Sequence, residues 1–275
     1  MDPFAMETAI IFAHKQRLRI YIMHAVNAFA LSMVAILVPV YLLTLGYSLE
    51  MTLLFILVKF FTVGVAAVLV LYISNKIGLL NILKLRFIIL GIYLLLLYLL
   101  QQQSVPIMFI AIMAGFEIAF YWIPFNVLFT RNANEKMGRS VGAYGGLHKL
   151  VGIPGPIIGG AIAAFLGFPI LFIVAFIVAI VAYAFIANIE SDHTHFTIGK
   201  QEMLNLYRNN KKYFAMDMLH GMVAHPSLRA IWAIFIFLSI SDVFLTGVAG
   251  TVIVISGGIF AFIVGSMTDV YDKNK

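Results

Sequence analysis

The run PILFIVAFIVAIVAYAFIAN, residues 169–188, holds twenty positions without one charged side chain. At a rise of about 1.5 Å per residue, a helix of that length covers about 30 Å, the thickness of a bilayer's hydrocarbon core. The run is read as a membrane-crossing helix, and the rest of the chain has the same character. Of 275 residues, 63% are hydrophobic and 11% charged, with a mean hydropathy of +1.02. Soluble domains carry roughly 25% charged residues, so a water-facing globule is excluded. A transmembrane β-barrel would show alternating segments of about 10 residues, and none occur. The fold class is an all-α membrane protein. Eight spans are expected: 21–45, 52–74, 86–103, 106–128, 141–166, 169–188, 228–246 and 248–268.

The net charge of +6 and pI of about 9.4 invite a nucleic-acid reading, which the placement of the charges argues against. With the N-terminus in the cytoplasm, Lys15, Arg17, Arg19, Lys76, Lys84, Arg86, Arg131, Lys136 and Arg139 fall on that side. So do Lys200, Arg208, Lys211, Lys212, Arg229, Lys273 and Lys275. The outer loops, 46–51, 104–105, 167–168 and the turn near 247, contain no Lys or Arg. This is the positive-inside distribution in every loop, so both termini are expected in the cytoplasm and the bilayer is the expected partner. The location is the cell membrane, inner or plasma. The first apolar run is too long for a secretory signal and no small-residue cleavage site follows it. No cysteine is present, which removes disulfides, thiol catalysis and Cys-ligated metals.

The spacing divides the chain into three parts. Residues 1–188 form a six-helix transmembrane bundle, 189–227 a cytoplasmic linker, and 228–275 two further transmembrane helices. In the linker, Met203, Leu204, Leu206, Tyr207, Tyr213 and Phe214 alternate with Lys and Asn, which reads as an interfacial amphipathic helix. The second span leaves the membrane through LYISNKIGLL and the eighth through GSMTDVYDKNK, six helices later. Repeated six-helix units are a known transporter architecture.

Here the chain resembles the major facilitator superfamily of secondary transporters. That family carries G-x-x-x-D-(R/K)-x-G-(R/K)-(R/K) after its second helix and a weaker copy after its eighth. Asn75, Lys76 and Gly78 occupy the Asp, basic and Gly places of the first copy, with Leu71 at the leading Gly. In the second copy Gly265 and Asp269 match, Val270 and Asp272 depart, and Lys273 and Lys275 supply charge. The family's antiporters carry G-x8-G-x3-G-P-x2-G-G on the fifth helix; Gly142, Gly155, Pro156, Gly159 and Gly160 fit it, and Val151 breaks it. The resemblance implies alternating access, a solute site near the midplane, no enzymatic activity, no cofactor and an antiporter lean. Family members have twelve helices, so a chain of eight is expected to be a truncated form or to pair as a homodimer.

A charge inside a span costs about 2.5–3.5 kcal/mol and marks a candidate functional position. Lys59, Glu117, Lys149 and Asp242 qualify, with Asn27 as a polar companion. Helical rise puts Glu117 about 16 Å, Lys149 about 12 Å and Lys59 about 20 Å from the inner surface, so either lysine matches Glu117 in depth. Glu117 is expected to be a proton site set by a lysine partner; a static Glu–Lys pair is the alternative. Tyr121 follows Glu117 at i+4 on the same helical face. Asp242 lies near the outer end, where it either serves coupling or faces water.

On the fifth span Gly142, Gly145, Lys149, Gly152, Pro156 and Gly159 recur at steps of 3, 4, 3, 4 and 3. Such a face either packs closely on a neighbouring helix or lines a cavity and bends at Pro156 during gating. DHTH at 192–195, with His220 and His225, has no recognised metal spacing, and no metal is expected. GLHKLVG lacks the ending of a phosphate loop. The expected function is proton-coupled transport of a small, lipophilic or amphipathic solute. Its rival is a non-transporting membrane interaction protein.

Overall fold

Gly78 adopts φ 79°, a left-handed backbone that glycine tolerates, and there the second long helix stops and the third begins. The computed structural model describes residues 3–102, 105–132, 150–189, 200–213, 215–216 and 226–272. Among them every regular element is a helix. In chain order these are α1 (Pro3–Ala35), α2 (Leu37–Thr44), α3 (Leu49–Ile77), α4 (Leu79–Leu99) and α5 (Ile107–Asn132). Then come α6 (Gly155–Phe165), α7 (Phe168–Ala187), α8 (Lys200–Asn209), α9 (Pro226–Ile240) and α10 (Val243–Asp272).

Among the described residues, five helical stretches are long and apolar enough to cross a bilayer: Leu18–Thr44, Leu49–Ile77, Leu79–Leu99, Ile107–Phe129 and Phe168–Ala187. Leu150–Phe165, Ala230–Ile240 and Val243–Gly257 are apolar but shorter. The chain is a multi-pass helical membrane protein.

Two boundaries differ from the sequence expectation. The third span begins at Leu79 rather than 86, because the turn is set at Gly78 and not by the last basic residue. The last two helices meet at Ser241–Asp242 rather than near 247. Ser241 takes φ 57° there, and Asp242 Oδ1 accepts a hydrogen bond from the Leu245 backbone N–H at 2.8 Å, capping α10. α1 and α2 are one span interrupted at Ile36: Pro39 has no N–H to offer the carbonyl of Ala35, four residues earlier.

Packing assembles the first helices around α5, which lies against both α3 and α4, while α1 packs on α7 and α4 on α7. The α3–α5 approach is close at Gly115. A Cβ there would meet Thr62 Cβ at 2.5 Å and the Lys59 carbonyl oxygen at 2.6 Å. Lys84 closes the far end of α7, its Nζ donating to the carbonyls of Ala187 at 3.0 Å and Ile189 at 2.8 Å. That contact satisfies carbonyls a helix leaves open and complements its negative end.

Candidate functional site

Because α4 starts at Leu79, Arg86 falls two turns inside the helix, and its side chain is completely buried. It forms an ion pair with Glu117 of α5, which is itself 4% exposed. Arg86 Nη1 also donates to Asn27 Oδ1 of α1 at 2.6 Å. The guanidinium lies over the Tyr121 ring at 4.6 Å and near the Phe87 ring at 4.8 Å. One cation thus ties three helices together. Moving both charges out of water carries a penalty of several kcal/mol per ion, which their attraction repays only with good geometry and further hydrogen bonds. Asn27 and the Tyr121 face supply such contacts here, and Arg86 Nε is buried with no hydrogen-bond partner among the described residues.

The network continues past the pair. The Tyr121 hydroxyl and His24 Nδ1 share a hydrogen bond, and the His24 ring stacks on Phe125 with centroids 4.3 Å apart. His24, Asn27 and Tyr121 are all buried. Glu117, Arg86, Tyr121 and His24 therefore form one connected chain of contacts that runs from α5 to α4, back to α5 and on to α1.

Of the residues singled out in the sequence, Glu117, Asn27 and Tyr121 meet in this network. Among the described residues the partner of Glu117 is Arg86 and not Lys59. In the sequence Arg86 reads as a cytoplasmic charge, but the helix start at Gly78 carries it into the core. Lys59 is half-buried on α3, its Nζ 5.3 Å from the Phe60 ring centroid, and makes no ion pair with Glu117. Lys149 and Gly142 lie outside the described residues, as do the histidines at 193, 195, 220 and 225. Among the described residues no group of three or more His, Cys, Asp or Glu could hold a metal.

Asp242 is exposed and caps α10, so it stands apart from the buried network. Asp242→Ala is expected to cost about 1 kcal/mol, the ordinary loss of an N-cap, and to leave transport unchanged; thermal unfolding and flux measured on one preparation check both. In the first loop motif Gly78 makes the turn, Lys76 reaches over the Tyr72 ring at 5.0 Å, and Asn75 is exposed. Gly265 and Asp269 of the second copy fall within α10.

Three glycines of the fifth span make close packing contacts, and of these only Gly159 belongs to the small-residue face. A Cβ on Gly155 would sit 1.8 Å from Ser32 Oγ, one on Gly159 would sit 2.2 Å from the Met33 carbonyl oxygen, and one on Gly160 would sit 3.0 Å from Gly247 Cα. α6 is thus held between α1 and α10 with its backbone close to both. Gly152 is looser, with 3.9 Å to Ser32 Cβ. Pro156 differs again: it lines a cavity of about 140 Å3 beside Lys59. A larger groove of about 630 Å3 between α4 and α7 is lined by aliphatic and aromatic residues such as Ile88, Leu95 and Phe176, and offers no charge for recognition.

A bundle of long apolar helices tied together by an intramembrane arginine–carboxylate network defines a polytopic membrane protein whose charged residues lie between its helices. No curated protein matches the chain. Residues 4–156, more than half of it, match the family model of the Major Facilitator Superfamily, and the chain belongs to that superfamily. It is accordingly a transporter by family, and the matched segment contains Asn27, Lys59, Arg86, Glu117 and Tyr121.

Proposed function

We propose that this protein is a secondary active transporter in the cell membrane that moves a small solute by alternating access, with Glu117 as its proton-coupling group. The observation that carries the reading is the ion pair of Glu117 with Arg86, bridged to α1 through Asn27. A proton on Glu117 cancels the charge that holds Arg86, which then keeps the Asn27 oxygen and the Tyr121 and Phe87 rings. Three helices share that contact, so its release changes how α1, α4 and α5 sit against one another. The close α6–α10 contact, where Gly160 faces Gly247, supplies a surface along which the first six spans and the last two can shift. In this reading residues 1–188 are one moving body and 228–275 belong to the other. The two bodies are joined by a linker at the cytoplasmic face, and the three shorter apolar helices also cross the membrane. The fifth-helix motif leans toward proton antiport.

One observation favours a second reading. Arg86 and Glu117 are both closed off from solvent, as expected of a static strut in a non-transporting membrane protein. Proteoliposomes with an imposed pH gradient and a panel of labelled amphipathic solutes separate the two. The transporter reading expects gradient-driven accumulation of at least one solute, reduced at least tenfold by Glu117→Gln. Accumulation that ignores both the gradient and this substitution supports the strut.

A further inference from the structure

We infer that the cavity at Lys59 is the solute site and that it takes a small carboxylate carrying a short apolar tail. The inference rests on the transporter reading above, to which it adds a substrate class. The cavity is walled by Ser32 of α1, Phe55, Lys59 and Phe60 of α3, Pro156 of α6 and Val254 of α10. Its walls therefore come from the first helices and from the last one. A solute bound there touches both sides of the seam that α6 makes with α10.

The charge balance selects the sign of the ligand. Arg86 and Glu117 neutralise each other, and Glu117 acts on Lys59 only at longer range. Among the described residues no carboxylate lies within ion-pair distance of Lys59, whose Nζ lies 5.3 Å from the Phe60 ring centroid. An ammonium inside a membrane span without a counter-ion is costly, and an anion placed beside it lowers that cost. A neutral solute leaves the cost in place, and a cationic one raises it.

The donor set narrows the class further. The Ser32 hydroxyl donates to the Phe29 carbonyl at 2.8 Å, so it has no proton to give a ligand. Among the described residues Lys59 is then the sole charged donor in the lining, a point charge with three N–H groups. It suits one monoanionic carboxylate; a phosphate dianion would keep an uncompensated charge. The remaining walls are mostly aromatic and aliphatic, which suits an apolar tail. At about 140 Å3 the space compares with engineered protein cavities of about 150 Å3 that hold benzene. The tail is therefore a few carbons long.

Butyrate, butyramide and butylammonium share a chain length and differ in charge, so they test the inference directly. Isothermal titration calorimetry on the full-length protein in carboxylate-free buffer is expected to show butyrate binding at least tenfold tighter than butyramide, with no binding of butylammonium. Lys59→Met should bring butyrate to the amide's affinity, while Lys59→Arg should hold it within about threefold of the parent, since it keeps the charge. Thermal unfolding reports whether the methionine variant is folded; if it is not, the ligand selectivity of the parent and of the arginine variant decides. Equal binding of butyrate and butyramide, preference for the ammonium, or full butyrate affinity in a folded Lys59→Met protein overturns the inference. Gradient-driven, Glu117-dependent uptake of another solute without butyrate selectivity overturns this inference and leaves the transporter reading intact. Lys59-dependent butyrate binding without gradient-driven uptake does the reverse.

Discussion

Arg86→Met is expected to destabilise the protein by about 3–5 kcal/mol, the cost of stranding one member of a buried ion pair. The methionine fills much of the arginine's volume, so the loss comes from the Glu117 carboxylate, which is left buried with no cation within ion-pair distance among the described residues. Asn27 and Tyr121 lose their partner in the same step. Arg86→Met combined with Glu117→Gln removes both charges and should recover most of the loss, because replacing a buried pair by neutral groups is often near neutral in stability. Glu117→Gln alone should cost less than Arg86→Met, since the amide oxygen still accepts a hydrogen bond and Asn27 and Tyr121 still hold the guanidinium. Denaturant or thermal unfolding of the four proteins in one lipid–detergent mixture measures the cycle. A single Arg86→Met variant within about 1 kcal/mol of the parent would contradict the buried pair.

The second large effect concerns the seam between α6 and α1. Gly159→Ala puts a Cβ 2.2 Å from the Met33 carbonyl oxygen, a backbone atom of α1 that cannot rotate away. The two helices must separate. Overpacking of this kind costs about 1–3 kcal/mol and occasionally more. Here it also loosens the packing on which helix association in a bilayer depends. Gly152→Ala is the matched control: its Cβ would lie 3.9 Å from Ser32 Cβ, an ordinary contact, so stability should stay close to the parent. Melting temperatures of the two alanine variants, measured side by side, test the pair. Equal losses at both positions would mean that α6 does not meet α1 through Gly159.

Much of this arrangement is legible in the sequence, and the gaps have physical causes. The apolar runs announce the helices because a bilayer demands about 20 apolar residues per crossing. Glu117 stands out because a carboxylate in such a run is costly. Arg86 is harder to read, since a basic residue near a span's end looks like a cytoplasmic anchor. The signal that corrects it is Gly78, whose turn starts α4 seven residues before Arg86 instead of at it. For Asp242 the sequence leaves coupling and water exposure both open. The residue lies in an almost continuous apolar stretch, and only the break at Ser241 turns it from an intramembrane charge into a helix cap. The glycine periodicity of the fifth span is plain in the sequence. Its partners are not, because Ser32, Met33 and Gly247 are brought to it only by the fold. Gly115 gives no local sign that it abuts Lys59, a contact that exists only once α3 and α5 pack.

The central claim is that Glu117 exchanges its ion pair for a proton during transport. Infrared difference spectra of the protein in lipid, taken between alkaline and acidic buffer, read that exchange directly. The claim predicts a protonated-carboxyl band that appears on acidification in the parent, over the pH range in which a gradient drives uptake, and is missing in Glu117→Gln. An identical band in both proteins, or none in either across that range, would contradict it.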